Sequence, residues 1–281
     1  MPELDARYYQ IAFLSLFLLL GVGTRDWTLH PAMIGIAIAT CLLTQALAVT
    51  LRHRLVPPTE PAPPPILQSL PSALISSLGL SLLLRTDQPL TMMLAAIAAI
   101  LSKFLVQWQG KHLFNPANVG IITAVSLTPH AWISPGQWGE ETWYALLFLG
   151  AGGIVLSRVG RWDTTVAFLA SYASLEAARN IWLGWTWDVW LHRLSSGSLL
   201  LFALFMVTDP RSIPNARNAR LLWAIAIALL TFVLRNVFFV PTAVFWALFA
   251  LSPLTPLLDS LWRSPRFTWQ PTPPPSVPQS S

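Results

Sequence analysis

Apolar residues in this chain come in blocks of roughly 15 to 22, a length that suits helices crossing about 30 Å of hydrocarbon. A transmembrane barrel would instead alternate apolar and polar positions along short strands, and no such alternation is sustained here. The blocks predict ten spanning helices, near residues 8–23, 29–50, 67–84, 89–107, 117–132, 142–157, 163–183, 190–207, 220–234 and 238–258. The fifth is short and takes in Pro129 and His130, so it reads as a tilted or re-entrant helix. Several others are short for a lone span, which points to broken helices buried within a bundle. The first block lacks a basic leader and a small-residue cleavage site, and is expected to be a retained helix. The stretches 56–65 and 263–281 are rich in proline and are expected to be solvated, the second as a disordered tail.

Composition agrees with the pattern. The chain of 281 residues is 54% hydrophobic and 10% charged, with mean hydropathy +0.57, whereas a soluble domain carries about 25% charged residues. This is the composition of an all-α polytopic membrane protein. The net charge of +5 does not point to nucleic acid, because no basic run reaches five residues. With Cys41 as the only cysteine, intramolecular disulfides and four-cysteine metal sites within this chain are excluded.

Lys and Arg orient the spans. With both termini cytoplasmic, the inside set is Arg7, Arg52, Arg54, Lys103, Lys111, Arg158, Arg161, Arg211, Arg217, Arg220, Arg263 and Arg266. The outside set is Arg25, Arg85, Arg179, Arg193 and Arg235, with the acids Glu140 and Glu141. An odd number of spans would spoil this 12-to-5 bias.

Two segments resemble each other. "SSLGLSLLLRTDQP" (76–89) and "SSGSLLLFALFMVTDPRSIP" (195–214) share Ser-Ser, a glycine, a Leu-rich run and Thr-Asp at the helix exit. In the topology above, Asp87 and Asp209 leave the membrane on opposite sides, each after the third span of a five-helix half. That predicts two inverted repeats, 1–132 and 133–262, with functional sites collecting at their interface.

Few residues carry chemistry. Asn115 precedes Pro116, a pairing that disfavours helix at the first and starts one at the second. Asn115 is then a helix cap in a turn, or the cap of a half-helix that receives a polar ligand. Asp209, in Thr208-Asp209-Pro210, caps the next turn, pairs with Arg211, Arg217 or Arg220, or attracts a cation. Glu176 is the acid deepest in an apolar block, with Arg179 at i+3 as its expected ion-pair partner and an ion or proton relay as the other reading. Trp182, Trp185 and Trp187 are expected in the interfacial belt. His30, His53, His112, His130 and His192 form no facing pairs for haem, and no metal-site, phosphate-loop or dinucleotide motif is present. The chain therefore reads as a non-autonomous subunit.

"HLFNPANVG" (112–120) and "SGSLLLFALFMVTDPRSIP" (196–214) resemble the family that holds the D subunit of the Rnf electron-transport complex and the B subunit of the sodium-translocating NADH:quinone oxidoreductase. The matching positions are His112, Phe114, Asn115, Pro116 and Ala117, then Phe205, Met206, Thr208, Asp209 and Pro210, followed by Arg217 or Arg220. The resemblance implies ten helices in inverted repeats of the urea-transporter kind. It also implies a place in a redox-driven, ion-translocating complex of the bacterial inner membrane, among other membrane subunits and lipid. The family attaches FMN to the threonine of a Ser-Gly-Ala-Thr motif, and that tetrapeptide is absent here. Covalent FMN is therefore not expected. A riboflavin or FMN held without a covalent bond, with Asn115, Ser196 and Ser198 as candidate contacts, or no cofactor at all, are the remaining expectations. Asp87, Glu176, Thr208 and Asp209 are the candidates for an ion pathway or a structural motif. The alternative function is a stand-alone channel or transporter for a small solute or ion on the same fold.

Overall fold

The computed structural model describes residues 5–24, 30–55, 65–133 and 142–269. Of the proline-rich stretches, 56–64 and 270–281 lie outside the described residues, as do Arg25, Glu140 and Glu141. The described chain is a bundle of helices. The first five are α1 (Ala6–Thr24), α2 (Pro31–Leu55), α3 (Ile66–Leu83), α4 (Pro89–Leu105) and α5 (Pro116–Leu127). Then come α6 (Thr142–Val159), α7 (Trp162–Trp182), α8 (Trp187–Leu194) and α9 (Gly197–Leu201), the last continuing into a π turn at Phe202–Met206. They are followed by α10 (Arg217–Asn236), α11 (Ala243–Leu251), a 3-10 turn at Ser252–Leu254 and α12 (Thr255–Leu261). Two small ladders join loops: β1 (Leu84–Thr86) pairs antiparallel with β4 (Ala131–Ile133), and β2 (Gln107–Trp108) with β3 (Lys111–His112).

Among the described residues, five helices are long and apolar enough to cross a membrane, or six if the bent pair 187–194 and 197–206 is one span. Apolar side chains face outward, with Leu19, Leu43, Leu67 and Leu90 each more than two-thirds exposed. The buried faces carry small and polar residues among large apolar ones such as Phe17, Tyr172, Phe202 and Trp223. Ser69, Ser76, Ser77 and Ser81 of α3 each return a hydroxyl hydrogen bond to a carbonyl of their own helix, so α3 needs no polar partner when surrounded. Apolar outside and self-satisfied inside is the arrangement lipid demands, and the chain is an all-α integral membrane protein.

Prolines set most of the breaks. The helix expected over 117–132 ends at Leu127, because Pro129 forces Thr128 out of the helical region, to φ −135° and ψ 143°. The span expected over 190–207 bends by 50° between α8 and α9. The last expected span begins after Pro241 and is interrupted around Pro253. Gln109 and Gly110, both at positive φ (50° and 78°), form the two-residue turn of the β2–β3 hairpin. Gly120 lets α5 lie against α4, since a Cβ there would sit 2.5 Å from the Ala95 carbonyl oxygen.

In the N-terminal part, α2 packs on α3 and α4, α4 on α5 and α1 on α3; further along, α7 packs on α10, α10 on α11 and α6 on α9. α1 also meets α6, and α5 meets α11. Phe168 and Phe245 close on Phe202 of the π turn, at centroid separations of 5.3 and 5.7 Å.

Candidate functional site: a polar cavity between the halves

The start of α5 meets the end of the π turn. The Asn115 side-chain oxygen accepts the Asn118 backbone N–H at 3.1 Å, capping α5. That fixes the other end of the amide, whose nitrogen donates to the Met206 carbonyl (3.3 Å) and reaches Asp209 Oδ2 (3.5 Å). Ninety-four residues separate Asn115 from Asp209 in the chain. A π turn is uncommon and is found mostly at functional sites. Here it carries the Met206 carbonyl to Asn115, and Thr208 closes it with a hydroxyl bond to the Leu204 carbonyl (2.7 Å).

Asp209 caps the turn that follows. Its Oδ1 accepts the Arg211 backbone N–H (3.1 Å) and its Oδ2 the Ser212 hydroxyl (3.1 Å). Burial raises its pKa above the ordinary carboxylate value; the Arg211 amide, the Ser212 hydroxyl and the charges of Arg211 and Lys103 work against that rise. The expected pairing with Arg217 or Arg220 is not made. Both instead approach Asp163, Arg220 at 2.7 Å and Arg217 at 3.7 Å, and Arg220 also donates to the Asn215 carbonyl. Asp163 opens α7, which packs on α10, so it is nearer to those arginines than the loop acid is.

Asn115, Thr208, Asp209 and Arg211 line a cavity that runs along α3 from Ser72 to Leu83, with α1 and α6 on its flanks. It holds about 90 Å³ of space open to water centres. One water needs roughly 10–15 Å³ on that measure, so there is room for several waters or a small polar species. Trp269 stands at its edge, held under the Arg7 guanidinium at 5.4 Å from the ring centroid. His112 also lines it, with Nδ1 buried and lacking a hydrogen-bond partner among the described residues. Burial, then the charges of Arg211 and Lys103, push the His112 pKa down to about 3, so the ring is neutral at physiological pH.

Lys103 stands behind Ser72. It is 4% exposed, and its Nζ donates to the Ser72 carbonyl (3.2 Å), the Ser72 hydroxyl (3.1 Å) and Gln45 Oε1 (3.5 Å). Among the described residues no carboxylate lies within 4 Å of it, although its sequence position suggested only one more cytoplasmic charge. The available signal was a lysine inside "AAILSKFLV", three residues before its helix runs out in a stretch that is apolar on both sides.

The remaining sequence candidates lie elsewhere. Asp87 faces solvent at the β1 end and sits 3.2 Å from His130 Nδ1. Glu176, 2% exposed, takes Arg193 (3.0 Å) and the Asn236 amide (2.8 Å), one on each oxygen. Its expected partner Arg179 lies over the Trp185 ring at 4.6 Å, because α8 and the end of α10 bring two donors that satisfy both oxygens at once. Ser196 and Ser198 share a hydrogen bond at 2.9 Å at the start of α9 and do not line the cavity. They are about ten residues from Asp209 along a helical path of roughly 1.5 Å per residue, so they do not join Asn115 in one site.

Residues 130–268 match the NQR2, RnfD, RnfE family. The D subunit of the ion-translocating oxidoreductase complex of Stutzerimonas stutzeri is 32% identical over 158 residues, which is 54% of this chain and 45% of that protein. The protein of the same name from Pseudomonas paraeruginosa is 26% identical over 302 residues, covering 86% of this chain and 83% of its own length. That of Halorhodospira halophila is 31% identical over 134 residues, 47% of this chain and 37% of that protein. The chain thus spans less than half the length of the Stutzerimonas and Halorhodospira relatives in these matches.

Proposed function

We propose, from the match of residues 130–268 to the NQR2, RnfD, RnfE family, that the chain is an integral membrane subunit of an ion-translocating oxidoreductase complex, and that it works without covalent FMN. One observation carries the reading. The two segments that resemble the family, far apart in sequence, meet at a single polar cavity through Asn115 and Asp209.

The cavity lies between two inverted five-helix repeats, in a ten-span fold of the urea-transporter kind. The matched packing schemes of the halves support this, as do the contacts between the equivalent helices α1 and α6, and α5 and α11. A second sequence echo supports it too. Phe114-Asn115-Pro116 precedes α5 as Phe239-Val240-Pro241 precedes α11. Where α5 crosses α11, Asn118 donates to the Phe245 carbonyl (3.1 Å) and Phe114 stacks on Phe249 (4.8 Å), contacts that keep one antiparallel register.

The charged loops support an orientation with both termini on the cytoplasmic side of a bacterial inner membrane. Arg7 meets Trp269, Arg161 meets Phe267, Arg266 meets Gln109 and Lys111 meets Asp259 at 2.6 Å. These contacts gather one set of loops, rich in Arg and Lys, at a single end of the bundle.

In this reading Asp209 supplies the charge that draws a cation into the cavity. The Asn115 amide holds the carboxylate in place, and neutral His112 and the serines of α3 offer polar contacts without adding charge. A flavin does not fit the residues first considered for it, because Ser196 and Ser198 bond each other away from Asn115.

The experiment is gentle purification of the tagged chain from its native membrane, with identification of what accompanies it. Membrane redox subunits in stoichiometric amounts are expected. A lone, self-associating protein that conducts a small solute in liposomes would overturn the assignment in favour of a stand-alone transporter.

A further inference from the structure

Lys103 is a buried cation whose hydrogen-bond partners among the described residues are neutral, Ser72 and Gln45. Asp209 is a half-buried carboxylate whose donors among the described residues are neutral, from Asn115, Ser212 and the Arg211 backbone. A lone charge held out of water on a membrane helix is costly, and such residues have a partner or a task. The nearby ionisable groups acting on Lys103 are Cys41, Asp209 and Arg211. Those acting on Asp209 are Arg211 and Lys103. Cys41 is fully buried, with its sulfur 3.9 Å from the Ala96 carbonyl, and neutral His112 adds no charge. Arg211 sits on the same loop as Asp209 and feels Arg7 and Arg266, so it belongs to the charged end of the bundle. Lys103 has no such company. Ser72, which holds its ammonium, lines the same cavity as Asp209.

We propose that Lys103 is the countercharge of Asp209 across this cavity, and that a monovalent cation entering at Asp209 takes over that role as Lys103 gives up a proton. The proposal rests on the cavity being the ion site of the proposed function. One positive charge enters and one proton leaves by way of the cavity water to bulk solvent, so the buried charge is unchanged. A single acid argues for a monovalent ion, and the oxygens around it, from Asp209, Thr208, Ser72 and Ser76, suit a hard cation. Waters in the cavity bridge the gap that direct contact does not close.

The test uses the purified full chain in detergent and needs no other protein. Lys103→Met and Asp209→Asn should each lower the unfolding temperature, and the double variant should recover much of the loss. Rising NaCl or KCl, set against choline chloride at equal ionic strength, should stabilise Lys103→Met at a midpoint about tenfold or more below that of the unaltered protein. Asp209→Asn should not respond. Lys103→Arg, which keeps the charge but cannot give up its proton, should fold like the unaltered protein yet show neither the salt response nor the proton release, and so serves if the methionine variant does not fold. In weak buffer, NaCl added to the unaltered protein should release about one proton per chain. Additive losses in the double variant, equal salt responses in all variants, or no proton release would each overturn the proposal. Co-purification with redox subunits is scored separately, so this inference and the proposed function can fail independently.

Discussion

Asn115 does two jobs with one amide, and its substitutions should separate them. Asn115→Ser keeps a capping oxygen and loses the bridge to Met206 and Asp209. Asn115→Ala loses both, and should cost about 1 kcal/mol more from the cap alone. Asn115→Asp keeps the cap but sets a second carboxylate against Asp209, so it should be the least stable of the three in thermal unfolding. His112 gives a pH signature. Its pKa is lowered from 6.5 to about 3, so the unfolded chain binds a proton that the folded chain refuses. Stability should therefore fall as pH drops below about 6.5 and continue to fall towards about 3. His112→Gln should flatten that limb in an unfolding series against pH. Asp209, with its pKa raised, acts in the opposite sense, losing stability as pH rises through its range. At this scale the sequence was only partly legible. The capping role of Asn115 follows from the proline after it, a local rule. The partners of Glu176 and Arg220 did not follow, because Arg193, Asn236 and Asp163 come from other helices and nothing local ranks them above Arg179 or Asp209.

Among elements, α4, α5 and the π turn set the geometry of the cavity. Gly120 fixes how closely α5 approaches α4. Gly120→Ala should cost roughly 1–3 kcal/mol, because the neighbour is backbone and cannot yield, and should shift the α5 start that carries Asn115. The π turn has one residue more than an α-helix would use. Deleting Ala203 should turn Thr208 and Asp209 by about 100° around the helix, away from Asn115. A folded, membrane-inserted variant that has lost cation-dependent stabilisation is the expected result. Retained stabilisation would show that the widened turn is not what aims Asp209. Helices were the most legible elements, since lipid requires apolar outer faces; their ends were not, because the expected spans ran through Pro129 and Pro241, where the backbone leaves the helix. The β2–β3 hairpin was not, because its only mark is Gln109-Gly110 in a stretch too short for a strand pattern. The π turn left no sequence mark at all.

At the scale of the molecule, a family resemblance over residues 130–268 meets a cavity lined by α1, α3 and α6. The Thr-Asp echo of Asp87 and Asp209 was readable in the sequence; the Phe-x-Pro echo at Pro116 and Pro241 stood out only once α5 and α11 were seen to cross there. What the echoes leave out is asymmetry. Asp209 is half-buried and lines the cavity, while Asp87 faces solvent beside His130. A repeat predicts equal partners; the packing around each decides which one can hold an ion. The burial of Lys103 behind Ser72 was likewise invisible, because it depends on α2, α3 and α4 closing together.

The most direct measurement is ion uptake driven by electron transfer, in sealed native vesicles carrying either the unaltered chain or Asp209→Asn, with assembly of the complex verified in both. Uptake reduced about tenfold or more, a barrier change near 1.4 kcal/mol or above, is the predicted result. Unchanged uptake in an assembled Asp209→Asn complex would contradict an ion site at this carboxylate, leaving the aspartate as the cap of a loop.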